Sequence, residues 1–281
     1  MKRLDWVVGE RCELKKFLMQ KGLDFLCVQK LFRKRDIKVN GRRLSQSVML
    51  EVGDKVECFV EEHSKRGSIE RIFEDDNVVV VCKPCGIEVC GEDSMEGTLG
   101  ALAVNRLDRN TSGVMIFAKN EEARVALDKV FRKGLVHKHY ICEVVGDSCF
   151  DGEMIDAYLF KDAKKAKVLI SDKPKPNYVK ICTIFETLEN REKSSLVWCT
   201  LITGKTHQIR AQLAHMGYPI VGDNKYGDKE VNRTFGAKHQ RLCCVELSCD
   251  NWEKVEYLTA KEKDLLNNLC GKRFVIEAKF E

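Results

Sequence analysis

The segment with the clearest chemical potential runs from residue 105 to residue 113, where an acid lies between two arginines. Asp108 follows Arg106 by two residues and directly precedes Arg109, and a Thr-Ser-Gly sequence begins three residues after it. Arginines within hydrogen-bond reach lower the pKa of a carboxylate, which suits a nucleophile or an electrostatic catalyst better than a proton donor. A loop aspartate that merely pairs with surface arginines is the commoner use of such a tetrapeptide, and the motif alone favours that alternative.

A second chemically suggestive segment, residues 201–210, predicts a strand that ends at Gly204 and a helix that begins near Thr206 as N-cap. At helical spacing His207, Arg210 and Ala214 share one face. Arg210 is therefore expected to point toward Asp108 from a rigid element. We expect Ile209 to pack against the resulting pocket. Taken singly, His207 and His215 fit ordinary helix-end or core histidines, and Arg210 fits a surface ion pair.

The elements that must position these residues follow from hydrophobic runs. Runs at 99–104 and 114–118 predict a strand, a polar loop and a second strand, which would place Asp108 on a rim. An acidic turn at 75–77 leads into a buried strand at 78–82, which Lys83 and the following Pro-Cys-Gly end. Residues 136–146 predict a strand that contains Tyr140, and a buried aromatic in the core is its simplest role.

A helix is predicted after residue 120. Asn120 is its N-cap, the acids that follow lie at its positive end, and Ala123, Leu127, Val130 and Phe131 form its buried stripe.

The 14 cysteines indicate reduced thiols rather than a disulfide framework, because the chain is long and lacks an export signal. Cys82 and Cys85, with Cys90, suggest a metal site only weakly, since no second pair of ligands lies at suitable spacing. Cys243, Cys244 and Cys249 alternate with apolar residues and are expected in the core of a strand. No metal is therefore expected. No apolar run is long enough to span a membrane, so a cytoplasmic location without a membrane partner is expected.

The chain of 281 residues is long enough for two domains, and its charge is unevenly distributed. Residues 1–62 hold 14 basic and 10 acidic residues, which accounts for most of the net charge of +5. Two short helices (12–22 and 28–35), an Asn40-Gly41 turn and a strand at 55–60 are predicted there. A polar linker at 63–70 then separates this unit from a second domain at 71–281. The basic residues cluster in one stretch that suits phosphates better than a solvated helix face: Lys30, Arg33, Lys34, Arg35, Lys38, Arg42 and Arg43.

The order of these motifs resembles the RluA-type RNA pseudouridine synthases, which isomerise uridine in RNA to its C-glycoside. The resemblance rests on Arg-Leu-Asp with Thr-Ser-Gly at 106–113, Lys-x-Tyr at 138–140, Gly-Lys-Thr-His-Gln-Ile-Arg at 204–210 and the pattern at 217–227. The basic N-terminal unit similarly resembles an S4 RNA-binding module. Three positions depart from the family: Asn105 and Gln212 replace histidines, and Lys205 replaces an arginine, keeping its charge but not its bidentate fork.

The resemblance implies an α+β fold, with a small S4-like α/β module before a catalytic domain that has a central mixed, largely antiparallel sheet flanked by helices. It also implies an isomerase without a cofactor. The sequence carries no signal of oligomeric state, and a monomer is the default expectation. Asp108 would act on a flipped-out uridine, Tyr140 would stack on its base, and Arg210 would pair with Asp108. Arg106 would fill the gap that the base leaves. Further RNA contacts are expected from Lys83, Arg109, Lys205, His207 and Ile209, together with the basic N-terminal residues.

The substrate implied by an S4-type module is large-subunit ribosomal RNA, with tRNA as the alternative. Two other classes of function stay open at this point. One is an RNA-binding protein without turnover, which the presence of Asp108, Tyr140 and Arg210 disfavours. The other is a hydrolase that uses Asp108 with His207, although neither a carboxylate metal set nor an oxyanion-type glycine loop is found.

Overall fold

The computed structural model describes residues 2–23, 25–60, 69–91 and 94–280. The N-terminal part forms a small module in which a four-stranded antiparallel sheet, in the order β1-β6-β3-β4, packs with two helices, and a separate pairing joins β2 to β5. Its elements are β1 Lys2–Val7, β2 Cys12–Glu13, α1 Leu14–Gln20, α2 Phe25–Lys34, β3 Ile37–Val39, β4 Arg42–Leu44, β5 Met49–Leu50 and β6 Lys55–Val60.

The predicted helices of this module are present with shifted ends. The first begins at Leu14 rather than residue 12, because Cys12 and Glu13 pair with β5. The second begins at Phe25, three residues before the predicted start. Asn40 and Gly41 both have positive φ values, 50° and 79°, and form the predicted turn between β3 and β4. Most of the predicted linker, 63–68, lies outside the described residues, and Glu70 already begins the next strand.

The second part of the chain is built on an eleven-stranded sheet. Its elements are β7 Glu70–Glu74, β8 Val78–Lys83, α3 Met95–Leu99, β9 Leu102–Ala103, β10 Ser112–Ala118, α4 Glu121–Arg132, β11 Val136–Val145, β12 Asp151–Asp162, β13 Lys167–Ser171, β14 Val179–Asn190, β15 Ser194–Leu201, α5 Gln208–His215, α6 Lys229–Thr234, β16 Leu242–Cys249, α7 Ala260–Leu265 and β17 Arg273–Val275. A short 3-10 turn, Asn267–Leu269, precedes β17.

The strand order of the large sheet is β13-β12-β14-β15-β11-β16-β10-β8-β7, with β17 added to β16 and β9 to β10. Strands β10 and β16 pair in parallel, and the other neighbours pair antiparallel. The expectation of a mixed, largely antiparallel sheet is therefore confirmed. Because β10 and β16 lie in the middle of the sheet, the loop that enters β10 reaches its central cleft.

Local sequence signals explain several of these elements. The Asp75 side chain accepts hydrogen bonds from the N–H groups of Asn77 and Val78, both at 2.8 Å, which forms the predicted turn before β8. Asn120 caps α4 by accepting from the N–H of Ala123 at 2.8 Å, as predicted. In α4 the residues Ala123, Leu127 and Val130 are buried in the main core and Phe131 is half-buried against it. The cysteines of β16 are buried, so their predicted place in a strand core is confirmed.

Gly113, the last residue of the Thr-Ser-Gly sequence, allows β10 and β16 to approach each other closely. Its φ is +127°, and a Cβ atom at this position would lie 2.3 Å from the carbonyl oxygen of Cys244. The glycine is thus required by the sheet that carries the Asp108 loop. None of the helices in the described ranges is long and apolar enough to cross a membrane.

Candidate active site

Asp108 lies in the loop between β9 and β10, and its side chain is 25% exposed. The buried Lys83 stabilises this loop: its Nζ donates to the carbonyl oxygens of Arg109 at 3.0 Å and Thr111 at 2.8 Å, and to that of Pro84 at 2.9 Å. The N–H of Thr111 donates to the carbonyl oxygen of Asp108 at 3.0 Å, which closes the turn. These bonds fix the backbone that presents the carboxylate.

The prediction that Lys83 contacts RNA is wrong. Its side chain is fully buried, and the carbonyls of this loop occupy its ammonium group. Burial lowers the pKa of Lys83 to about 8, against the opposing pull of Cys85, Glu88 and Asp108. No local pattern predicts this burial, because two of the carbonyls that accept from the lysine lie 26 and 28 residues further along the chain.

Asp108 is bound by Arg210 rather than by the two arginines beside it in sequence. Nη1 of Arg210 donates to Oδ2 of Asp108 at 2.6 Å. Arg109 turns away and donates from Nε to the carbonyl oxygen of Gly86 at 3.0 Å. Arg106 is exposed and makes no hydrogen bond or ion pair with the part of the chain that the structure describes. The expectation of a carboxylate held between its flanking arginines is therefore wrong, whereas the expected pairing with Arg210 is present.

Arg210 is itself fixed by a buried carboxylate that the sequence analysis did not single out. Nε and Nη2 of Arg210 donate to the two oxygens of Asp223 at 2.7 and 2.9 Å, a bidentate pair. The N–H groups of Lys225 and Tyr226 donate to Oδ1 of Asp223 at 2.8 and 3.1 Å. The Arg210 side chain is 8% exposed and that of Asp223 is fully buried. Arg210 thus bridges a buried carboxylate and a partly exposed one.

The charges of this pair are maintained by their contacts. Burial alone would raise the pKa of Asp223, but the bonds and charge of Arg210, with the two backbone donors, hold that pKa below its ordinary value. Burial likewise acts to lower the pKa of Arg210, and the two aspartates outweigh it and raise that pKa. The site therefore contains a permanent cation that directs one N–H at Asp108.

His207 precedes α5 in a left-handed conformation, with φ of 54°, and acts as the N-cap residue without a side-chain cap bond. The predicted cap at Thr206 is therefore wrong. Nδ1 of His207 lies 2.8 Å from the hydroxyl of Tyr226, and Nε2 lies 3.8 Å from Oδ2 of Asp108. Burial lowers the pKa of His207, while Asp108 opposes that shift. The imidazole is thus a neighbour of the carboxylate, beyond ordinary hydrogen-bond distance.

Tyr140 lies on β11 between two buried cysteines, opposite Cys199 of β15 and Cys244 of β16. The pairing with β16 shifts by one residue at His139 and Tyr140, and such a bulge alters the direction of the side chains around it. The Tyr140 side chain is nearly fully buried, and burial, with Cys244, raises its pKa well above 10. Its hydroxyl is therefore neutral throughout the ordinary pH range.

These side chains line one open cavity of about 680 Å³ in the middle of the large sheet. Its walls bring together the three predicted catalytic residues and four of the predicted RNA contacts, Arg106, Lys205, His207 and Ile209. Ile209 is buried, as expected for a residue that packs against the pocket, and Lys205 is exposed at its edge. Arg109 and the basic N-terminal residues are outside this cavity. The seven basic residues lie on α2, β3, β4 and the turns beside them, and Arg33, Lys34, Arg35, Arg42 and Arg43 are exposed there.

Two more residues of the site were missed. Tyr226 lies under Arg210, whose Cζ is 5.3 Å from the ring centroid, and its hydroxyl meets His207. Asn105, also on the cavity wall, has an amide whose two polar atoms are buried without a hydrogen-bond partner in the described ranges. Asp223 follows the buried run Ile220-Val221-Gly222, and an acid at the end of such a run was the signal available in the sequence.

Comparison with known proteins defines the class to which this arrangement belongs. Residues 77–215 match the family model described as RNA pseudouridylate synthase. The chain is 31% identical over 233 residues to ribosomal large subunit pseudouridine synthase C of Vibrio cholerae, which covers 73% of each chain. It is 34% identical over 251 residues to an uncharacterised RNA pseudouridine synthase of Mycoplasma pneumoniae, covering 77% of this chain and 76% of that one.

A solved structure agrees at the level of the fold. The human protein RNA Pseudouridylate Synthase Domain Containing 1 superimposes with a TM-score of 0.58 at 22% identity, covering 66% of this chain and 81% of its own. The chain belongs to the RNA pseudouridine synthase family. It is accordingly an isomerase that acts on RNA.

Proposed function

We propose that this enzyme converts one or more uridines of large-subunit ribosomal RNA to pseudouridine, with Asp108 as the catalytic carboxylate. The observation that carries the assignment of the centre is the bridge in which Arg210 joins Asp108 to the buried Asp223 at the cavity. The choice of ribosomal RNA is supported by the Vibrio cholerae relative, which is named for the large ribosomal subunit.

The reaction breaks the N1–C1′ bond of uridine, rotates the base and joins C5 to C1′, after which the C5 proton leaves and N1 carries a hydrogen. In this proposal the uridine flips into the cavity, because its reacting atoms are inaccessible within a stacked strand. Asp108 acts on the nucleoside while Arg210 keeps it ionised and oriented. Attack on the sugar, addition to C6 and removal of a C2′ proton all remain compatible with a carboxylate at this position.

The wall of the cavity supplies the remaining roles. Tyr140 offers an aromatic face to the base, with a hydroxyl whose raised pKa disfavours a tyrosinate. Ile209 completes the apolar side, and exposed Arg106 at the edge is free to occupy the space that the base vacates. His207 orients toward Tyr226 through Nδ1, which favours a role in positioning over that of a hydrolytic base.

The N-terminal module is proposed to act as an S4-like RNA-binding unit. Its exposed arginines on α2 and β4 form a basic surface, and phosphate contacts of this kind fix position without reading base sequence. We propose that this surface, together with Lys205 and Arg109 of the catalytic domain, orients a folded RNA over the cavity.

Release of tritium from RNA labelled at C5 of uridine tests the substrate, since each conversion frees one C5 hydrogen. Transcripts of large-subunit rRNA and of tRNA are incubated with wild-type enzyme and with Asp108→Asn, which keeps the size of the side chain. Release from rRNA by the wild type alone is expected. Release from tRNA and not from rRNA would identify tRNA as the substrate instead of ribosomal RNA. Binding of either RNA without tritium release would favour an RNA-binding protein without turnover.

A further inference from the structure

A second basic surface lies on the catalytic domain, at the free edge of the large sheet. It comprises six exposed lysines of the β12–β13 hairpin and the loop that follows β13, here named the lysine edge: Lys161, Lys164, Lys165, Lys167, Lys173 and Lys175. Two acids, Asp162 and Asp172, interrupt the stretch. Asp172 lies 2.9 Å from Nε2 of His215, and Asp162 accepts a hydrogen bond from the N–H of Lys165.

The lysine edge carries a local excess of positive charge, six lysines against two acids. None of the six lysines forms an ion pair with any described residue, whereas Lys180, just beyond the loop, pairs with Asp156 at 2.6 Å. Exposed lysines without acidic partners repel one another, and a polyanion relieves that repulsion. This segment does not stand out in the overall charge of the second domain, because acids elsewhere in that domain balance it.

The edge is rigidly joined to the active-site helix. Residues of β12 and β13 pair from Tyr158 with Ser171 to Asp162 with Lys167. Val168 of β13 is buried in a small core that includes Ala211 of α5, the helix that carries Arg210. The lysines are therefore presented by a strand pair with a fixed position relative to the cavity.

Tyr226 connects this edge directly to the catalytic centre. Its hydroxyl accepts a hydrogen bond from the N–H of Val168 at 3.0 Å, and Nζ of the neighbouring Lys225 donates to the carbonyl oxygen of Ala166 at 2.8 Å. Nζ of Lys167 lies 5.9 Å from the centroid of the Tyr226 ring, and Cζ of Arg210 lies 5.3 Å from the same centroid. One aromatic ring thus separates the first lysine of β13 from the arginine that binds Asp108.

We propose that the lysine edge binds the phosphate backbone of the RNA strand that flanks the target uridine. This inference rests on the proposed location of the catalytic centre at Asp108, because only then does the edge border the path of the substrate. A strand whose nucleoside enters the cavity must continue beyond it, and the ring of Tyr226 lies between Lys167 and Arg210, which lines the cavity. Lysine acts as a flexible point charge toward phosphate, so the edge contributes affinity and orientation without base specificity.

Two full-length variants with equal loss of charge test the proposal. One carries Lys164→Gln, Lys165→Gln, Lys167→Gln and Lys175→Gln. The control carries four glutamines at exposed lysines of the C-terminal segments, none of which lines the cavity: Lys254, Lys261, Lys272 and Lys279. Dissociation constants for an rRNA fragment are measured over a range of KCl concentrations, with KM and kcat by tritium release and Tm as a check of folding.

The edge variant is expected to bind RNA about ten- to a hundredfold more weakly near physiological salt. The slope of log association constant against log [KCl] should become less negative by about 3, as for four lost phosphate contacts. KM should rise with little change in kcat, and the control should remain near wild type. Equal losses in both variants would show an effect of overall charge and overturn the proposal. Unchanged RNA affinity in the edge variant would also overturn it and leave an acidic protein as the partner to consider. Since kcat at saturating RNA reports the chemistry separately, neither failure would count against Asp108.

Discussion

Replacement of Asp223 with asparagine tests how far the site depends on its buried ion pair. The substitution keeps the shape of the side chain but places an amide NH2 against one of the two Arg210 donors, now at 2.7 and 2.9 Å from carboxylate oxygens, and a neutral oxygen against the other. The guanidinium, 8% exposed, then lacks its main counter-charge. Removing one partner of a buried pair costs about 3–5 kcal/mol, which corresponds to a fall in Tm of about 6–20 °C in a domain of this size.

Two assays check this prediction: thermal unfolding and tritium release. A loss of about a hundredfold in kcat is expected as well, because Arg210 would no longer be held in register with Asp108. Glu230→Gln is the control, since its ion pair with Arg233 is 75% exposed on both sides and contributes less than about 1 kcal/mol. If Asp223→Asn unfolds and reacts like this control, the buried pair does not organise the site and the reasoning fails.

The buried Asp223 carboxylate also determines in which direction stability changes with pH. The pKa of Asp223 is lower in the folded protein than its ordinary value of 3.8, so its contribution is complete above that pH and is lost as the pH falls through the folded value. The wild type should therefore lose stability in acid more steeply than Asp223→Asn. Equal acid slopes in the two proteins would mean that this carboxylate contributes no such linkage.

Three further substitutions have definite expected outcomes. Gly113→Ala should lower the free energy of unfolding by about 3 kcal/mol or more, because its Cβ would lie 2.3 Å from the Cys244 carbonyl oxygen and the backbone would be strained. The control Gly236→Ala, which has open space around it, should cost about 1 kcal/mol, and urea unfolding measures both. Lys83→Met should lower stability by about 3 kcal/mol by leaving three carbonyls without their donor, and weakened RNA binding at unchanged Tm would instead return Lys83 to the RNA surface. Burial lowers the pKa of His207 below its ordinary value of 6.5, so the wild type should gain stability as the pH rises toward 6.5. If the stability of His207→Gln rises with the same slope over that pH range, this histidine does not cause the gain.

The elements whose signals are local could be predicted from the sequence. The run of valines at 78–81 becomes β8, the side chain of Asn120 caps α4, and Asn40-Gly41 forms a hairpin turn. In each case the residues that form the structure are neighbours in the chain, so hydrophobic period, capping chemistry or positive φ is sufficient.

The polar contacts of the site could not be predicted in the same way, because their partners are distant in sequence. Arg109 donates to the carbonyl of Gly86 rather than to the adjacent Asp108, and Lys83 donates to carbonyls of a loop 26–28 residues away. Arg210 donates to Asp108, 102 residues away in the sequence, and to Asp223, 13 residues away. Spacing shows which residue types are available, and only the folded sheet decides which donors meet which acceptors.

The central claim is that Asp108, held by Arg210, catalyses pseudouridine formation in ribosomal RNA. Carbodiimide-dependent stops of reverse transcription, mapped on rRNA transcripts after incubation with wild type or Asp108→Asn, test it most directly. The account predicts a stop at a defined uridine with the wild type and none with the variant, although both bind the RNA. The same stop with Asp108→Asn, or no stop with a wild type that binds the RNA, would contradict it.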